Sequence, residues 1–206
     1  MDERIREIGV MGGTFNPPHL GHLRAAQSAA DELKLGLVLL IPDYLPPHKE
    51  TAAGSPDARQ RLEMVRLAAA ADPRLRADGC EVVRGGKSYT VDTLRELKTR
   101  YPDAALTFIC GTDMFLTLDR WYRAEELLQM ARFAVAPRET GEEAEIRRKQ
   151  QELREKFGAS SILLHNPVVE LSSSDVREQI RNGDFSGVPD GVAAYIKENR
   201  LFLADG

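Results

Sequence analysis

Short runs of consecutive apolar residues alternate along the chain with longer stretches in which apolar residues recur every three or four positions. The runs Ile5 to Met11, Leu37 to Ile41, Leu75 to Val83, Leu106 to Cys110, Phe133 to Ala136 and Ile162 to His165 predict strands. An unbroken apolar run such as Leu37 to Ile41 is what a parallel strand covered on both faces requires. Helical spacing predicts helices over 20–33, where Leu23, Ala26, Ala30 and Leu33 form one stripe, and over 58–71, 91–100, 124–130, 142–157, 174–181 and 192–198. Asp72-Pro73 and Pro102 stop two of them. Strand and helix alternate from end to end. The expected class is therefore α/β, a doubly wound and mainly parallel sheet with helices on both faces. Residues 1–206 are expected to form one domain, with a helical part from 172 to 206. The charge-rich stretch 139–156 mixes signs at helical spacing and reads as a solvated helix face.

Composition narrows the picture. A chain of 206 residues is long enough to bury a core without disulfide or metal staples. Its net charge of −4 carries no overall basic footprint, which argues against a nucleic-acid partner but leaves room for an anionic small molecule. The two cysteines, Cys80 and Cys110, have no zinc-type spacing and make no disulfide framework. The charged N-terminus lacks the apolar core of a signal peptide, and no apolar run is long enough to span a membrane. The expectation is a soluble protein of a reducing compartment, most simply the cytoplasm.

In an open parallel sheet, ligands bind at the carboxyl ends of strands. The richest loop there is Gly12-Gly13-Thr14-Phe15-Asn16-Pro17-Pro18-His19-Leu20-Gly21-His22. Its glycines permit close approach to a ligand, and the helix beyond offers free N–H groups to a phosphate. His19 and His22, three apart, are placed to project to one side of a first helical turn, with Leu20 pointing inward and Gly21 leaving room for something flat. The loop has neither the Gly-x-Gly-x-x-Gly fingerprint nor a Walker A pattern. Gly86-Lys87-Ser88 imitates the tail of a Walker motif, but Glu81 stands where glycine is required. In Leu171-Ser172-Ser173-Ser174-Asp175-Val176-Arg177 the serines alone fit a capped helix. Arg177 does not, since a cation in a first turn opposes the helix dipole unless an anion lies between them. Pro46-Pro47-His48-Lys49 offers a donor and a cation, or simply a solvated loop. Asp113, in Gly111-Thr112-Asp113, follows a buried strand and is placed to grip ribose hydroxyls. Trp121, the one tryptophan, suits either a core position or stacking on a ligand ring. Ser88-Tyr89-Thr90 precedes a helix and can offer backbone N–H groups to a carboxylate. His165 reads as structural.

Together these segments resemble the nucleotidyltransferase superfamily with a His-x-Gly-His signature, here His19-Leu20-Gly21-His22. Within it the opening loop looks like that of the bacterial nicotinate-nucleotide adenylyltransferase family. Pro46 to Lys49, Ser88 to Leu94, Gly111 to Asp113 with Trp121, and Leu171 to Arg177 agree with that family in order along nearly the whole chain. Two departures stand out: Thr112, where many relatives carry alanine, and Met114-Phe115, where a smaller residue is frequent.

The resemblance implies a Rossmann-like fold and adenylyl transfer from ATP to nicotinate mononucleotide, giving deamido-NAD and pyrophosphate. Mg²⁺ would be held mainly by the ATP phosphates, with no protein metal cage. It implies His19, His22 and Arg177 as catalytic. Gly12, Gly13, Thr14, Phe15, Gly111, Asp113, Ser173 and Ser174 would join them in binding ATP. His48, Lys49, Ser88, Tyr89, Thr90, Trp121 and Tyr122 would bind the acceptor. A homo-oligomer is compatible with the sequence. The rival readings are an adenylyltransferase acting on pantetheine phosphate or nicotinamide mononucleotide, and a nucleotide-binding regulatory module without turnover.

Overall fold

A computed structural model of the chain describes residues 6–46, 55–137, 139–165 and 171–202. Six strands form one sheet: β1 (Glu7–Gly13), β2 (Leu37–Pro42), β3 (Leu75–Ala77), β4 (Ala105–Gly111), β5 (Arg132–Ala136) and β6 (Ser161–Leu163). The order across the sheet is β3-β2-β1-β4-β5-β6, and every pairing is parallel. The helices are α1 (Leu20–Leu33), α2 (Ala58–Ala69), α3 (Cys80–Arg84), α4 (Thr90–Arg100), α5 (Thr112–Phe115), α6 (Ala124–Met130), α7 (Glu143–Phe157), α8 (Ser173–Arg181) and α9 (Asp190–Glu198), with a 3₁₀ turn at Leu118–Arg120. The doubly wound α/β expectation therefore holds.

Period-two alternation divides each strand between two cores. Val38 and Leu40 of β2 face one layer, with Ala26, Ala30, Met64, Val65, Val176 and Ile196 from α1, α2, α8 and α9. Leu37, Leu39 and Ile41 face the other, with Leu94, Leu97, Leu127 and Leu153 from α4, α6 and α7. All six residues of β2 are buried, as a strand covered on both faces demands.

Three details depart from the sequence reading. The expected strand 75–83 stops at Ala77, because the Asp78 carboxylate accepts the Cys80 N–H at 3.0 Å and turns the chain into α3. Gly12 and Gly13 complete β1 and do not begin the loop. Leu20 does not point inward: it is 36% exposed at the start of α1, while His19 beside it is buried. The short α5 and the 3₁₀ turn carry no periodic signal, being too brief to show one.

The sheet changes direction between β1 and β4, where chain order jumps from the β3 edge back across the middle. The two strands pair only as far as Val10 and Phe108. Beyond that level β1 stays with β2 up to Gly13, and β4 stays with β5 up to Gly111. The strands thus part at their carboxyl ends and open a crevice there.

Candidate active site

The loop from Thr14 to His19 lies over this crevice. Phe15 adopts a left-handed backbone with φ 49, and its buried ring lies beneath the loop, 4.9 Å from the His22 ring. Asn16-Pro17 is a cis peptide bond. His19 caps α1 from an extended backbone, and His22 sits one turn into the helix. Their rings stand 3.7 Å apart between centroids. The His19 N–H donates to His22 Nδ1 at 3.2 Å. A nitrogen that accepts carries no proton, so neutral His22 keeps its proton on Nε2, the nitrogen away from the backbone. Gly21 makes room for the neighbouring imidazole: a Cβ there would come within 3.1 Å of His19 Cε1 and Nδ1.

The other side of the cradle comes from α8. Its N-terminus caps itself, with Ser172 Oγ accepting from Asp175 N at 3.1 Å and Asp175 Oδ2 accepting from Ser172 N at 3.0 Å. The Ser172 hydroxyl also donates to Asp175 Oδ2 at 2.6 Å, and the hydrogen bonds from this hydroxyl and the Ser172 N–H, aided by the nearby His19, hold the Asp175 carboxyl below the usual range. Arg177 reaches across to the β1 loop, donating to the Asn16 carbonyl at 2.8 Å and to Ser174 Oγ at 3.0 Å. Among the described residues no carboxylate forms an ion pair with it, and partial burial lowers its pKa from the usual arginine value. Residues 16 and 177, remote in sequence, are thus joined directly.

A buried junction supports the loop. Arg61 of α2, 2% exposed, donates to the Thr14 carbonyl at 2.8 Å, to Asp43 Oδ1 at 2.9 Å and to the Tyr44 carbonyl at 3.1 Å. Thr14 Oγ1 donates to the other Asp43 oxygen at 2.9 Å. The loops after β1 and β2 are tied together at that point.

Gly111 leads β4 into α5, where Thr112 is buried and Asp113 exposed. The Thr112 hydroxyl donates to Glu142 Oε2 at 2.6 Å, so this departure from the family pattern ties the start of α5 to the residue before α7. Trp121 is half-buried, edge-on to Phe108 at 6.2 Å, with its Nε1 donating to Thr117 Oγ1 at 3.2 Å. Lys149 of α7 holds Asp119 at 2.8 Å, just ahead of Trp121. Tyr122 is exposed and packs on Tyr89, with centroids 4.4 Å apart. That contact joins the entry of α4 to the entry of α6. Arg95 and Glu126 join the same two helices lower down with a pair of hydrogen bonds, each 2.7 Å. Ser88 turns inward: it is buried, and its hydroxyl accepts the Tyr44 N–H at 2.9 Å. Thr90 begins α4, which has no side-chain cap. His48 and Lys49 lie outside the described residues. His165, assigned a structural place, is exposed and contacts Glu32 at 3.2 Å.

Arg177 and Ser174 thus stand against the loop that leads to His19 and His22, and Tyr89 and Tyr122 meet where α4 and α6 begin, beside Thr90 and Trp121. Comparison with known proteins identifies the family. The cytidylyltransferase-like family profile matches residues 10–179. A protein of a Synechococcus strain described as a nicotinate-nucleotide adenylyltransferase is 40% identical, covering 98% of this chain and 97% of its own. Its namesake from Lactiplantibacillus plantarum is 38% identical, covering 96% and 88%. The chain belongs to the nicotinate-nucleotide adenylyltransferase family. The enzyme is thus a nucleotidyltransferase. In fold it is similar to the Plasmodium falciparum nicotinic acid mononucleotide adenylyltransferase complexed with NaAD, with a TM-score of 0.77 at 17% identity over 96% of this chain and 97% of that one.

Sequence reasoning missed the residues that hold the enzyme's site from beneath: Arg61 with Asp43, Glu81 with Thr93, and Lys149 with Asp119. One signal was there to be read. Arg61 falls on the same face as the apolar residues Leu62, Val65 and Ala68 of α2, and a cation on an apolar face demands a buried partner.

Proposed function

We propose that the enzyme transfers the adenylyl group of ATP to nicotinate mononucleotide, in the crevice between the parted ends of β1 and β4. The observation that carries this reading is Arg177 of α8 bound to the Asn16 carbonyl, in the loop that leads to His19 and His22 at the head of α1. A phosphate oxygen of the mononucleotide attacks the α-phosphorus of ATP, the bond to the bridging oxygen breaks, and pyrophosphate leaves with its electron pair. The attacking phosphate is already ionised near neutral pH, so no general base is needed. The protein's task is alignment and neutralisation of spreading charge.

We assign the Nε2–H of His22 to the α-phosphate and His19 to the triphosphate, with Gly12, Gly13, Thr14 and Phe15 shaping their loop. Ser173, Ser174 and Arg177 take the ATP phosphates, while Gly111 and Asp113 take the nucleoside. Trp121 stacks on the pyridine ring. The backbone at Tyr89, Thr90 and Tyr122 faces its carboxylate, with Ser88 holding that segment in place and His48 and Lys49 meeting phosphate at the mouth. Two imidazoles, a guanidinium and hydroxyls form a donor set for phosphate oxygens. Among the described residues no group of three His, Cys, Asp or Glu side chains converges to hold a metal. We assign the ligands of a magnesium ion to ATP phosphates and water, where it would neutralise phosphate charge. The cytoplasm, with its ATP and its reducing conditions, suits the two buried cysteines, Cys80 and Cys110.

A carboxylate accepts hydrogen bonds only, whereas a carboxamide would turn its NH₂ towards the same donors. Such a mismatch excludes an analogue by a factor on the order of 10⁴. The test is pyrophosphate release with ATP and Mg²⁺ over an acceptor panel of nicotinate mononucleotide, nicotinamide mononucleotide and pantetheine phosphate. The acid mononucleotide should dominate. Preference for pantetheine phosphate would sink the reading, and so would release with no acceptor used.

A further inference from the structure

We infer that Glu81 is a positioning residue for acceptor recognition: it sets the entry of α4 by receiving the Thr93 hydroxyl proton in that helix's first turn. This rests on the reading that the acceptor carboxylate meets that entry. Glu81 is the buried carboxyl of α3, 6% exposed. Thr93, one turn into α4, donates its hydroxyl proton to Glu81 Oε1 and accepts from Arg84 at 2.7 Å. Just ahead of α4, the buried Ser88 hydroxyl accepts the Tyr44 N–H at 2.9 Å. A hydroxyl has one proton to give. With Arg84 donating to Thr93, the Thr93 hydroxyl proton needs an acceptor, and Glu81 Oε1 takes it, with the Tyr89 carbonyl more distant at 3.5 Å.

Between the two hydroxyls lie Tyr89 and Thr90. The entry of α4 has no side-chain cap of its own, so its direction depends on what grips it from outside. Two grips exist. The Ser88 N–H donates to the Leu45 carbonyl at 3.0 Å, and Leu45 bridges Lys87. Glu81 holds the segment from the other side. The same strap leads through Tyr44 to Asp43, which bonds Thr14 of the phosphate loop. A carboxyl buried at this depth is costly, and neither the phosphate chemistry nor the apolar core calls for it. Its partners account for it.

Glu81→Gln keeps an acceptor oxygen but loses the charge that strengthens the bond from Thr93 and faces Arg84. Thr93→Val removes the hydroxyl, and Thr93→Ser restores it. The experiment measures KM for nicotinate mononucleotide, nicotinamide mononucleotide and ATP in the parent and these three variants, with melting temperature alongside. Glu81→Gln and Thr93→Val should each raise KM for the acid about tenfold, the effect of one lost hydrogen bond to a charged group. KM for ATP should stay within about twofold, and Thr93→Ser should match the parent. If Glu81→Gln fails to fold, Thr93→Val against Thr93→Ser decides alone. A selective parent whose variants leave KM for the acid unchanged overturns the Glu81 assignment only. So does a parallel rise in both KM values that tracks lost melting temperature, the signature of a purely structural role. A parent that uses acid and amide equally overturns the acceptor reading, and the Glu81 assignment with it.

Discussion

Arg61→Met tests whether the buried Arg61–Asp43 junction holds the phosphate loop. The parent pair is nearly dry, with side chains 2% and 10% exposed. The substitution deletes three hydrogen bonds, to the Thr14 carbonyl, the Tyr44 carbonyl and Asp43. It also strands Asp43 Oδ1, while Oδ2 keeps the Thr14 hydroxyl. Removing one partner of a buried pair costs about 3–5 kcal/mol, most of it the penalty of the charge left behind. For a chain of this size that is a fall in melting temperature of roughly 10 °C. Asp43→Asn reverses the situation, stranding the cation but keeping an acceptor for Thr14. The double variant strands neither charge, so it should recover at least about 2 kcal/mol of the summed single losses. Urea unfolding followed by the fluorescence of Trp121, the single tryptophan, measures all four corners of the cycle. KM for ATP should rise in Arg61→Met, because the Thr14 carbonyl loses its anchor. Single losses below about 1 kcal/mol would refute the argument. Additive losses in the double variant would refute it too, since they would mean that the two groups do not interact.

Three further outcomes follow from the site. His22→Ala should lower kcat by at least about a hundredfold with the melting temperature unchanged, as for loss of one preorganised donor; near-parental turnover would remove His22 from the α-phosphate. Arg177→Lys keeps the charge but loses the fork that spans the Asn16 carbonyl and Ser174, so KM for ATP should rise; unchanged kinetic parameters would make Arg177 a surface residue. Lys149 holds the Asp119 carboxyl below the usual range. Its stabilising contribution is therefore present above the ordinary carboxylate pKa and is lost as pH falls through the lower folded value. The melting advantage of the parent over Asp119→Asn should be constant near neutral pH and shrink below about pH 4; an advantage that grows with acid would reverse the assignment.

The order of elements was legible because most strands and helices are long enough to show a period. α1 and α6 fall on the predicted residues, and α2, α4, α7, α8 and α9 within two of them at either end. The failures are local side-chain chemistry. Asp78 ends β3 with a hydrogen bond that hydropathy cannot see. Leu20 faces outward because the helix starts with the imidazole of His19 already occupying the inner side, and at the first turn periodicity is weakest. The candidate site was legible wherever its residues cluster along the chain, as in the loop from Gly12 to His22. The residues beneath it were not, because Arg61 meets Asp43, and Lys149 meets Asp119, only after the sheet has formed.

Arg177 shows why the readable and unreadable parts belong together. A cation near the N-terminus of α8, at its fifth residue, opposes the helix dipole, and the three serines before it suggest a simple cap. The structure separates those roles. Ser172 and Asp175 close the capping box by themselves, satisfying one N–H at each end of it. Ser173 and Ser174 are thereby released from capping. Asp175 puts a negative charge in the first turn, where the helix dipole favours it. The guanidinium then spends only part of its capacity: it has five N–H donors, and the two hydrogen bonds to the Asn16 carbonyl and Ser174 leave others for phosphate oxygens. Those two bonds also fix where the fork stands before any nucleotide arrives. Preorganised donors cost no reorganisation when charge develops. The first and last motifs of the chain therefore act as one unit, and a change in the Asn16 loop should be felt at Arg177 as directly as a change in α8 itself.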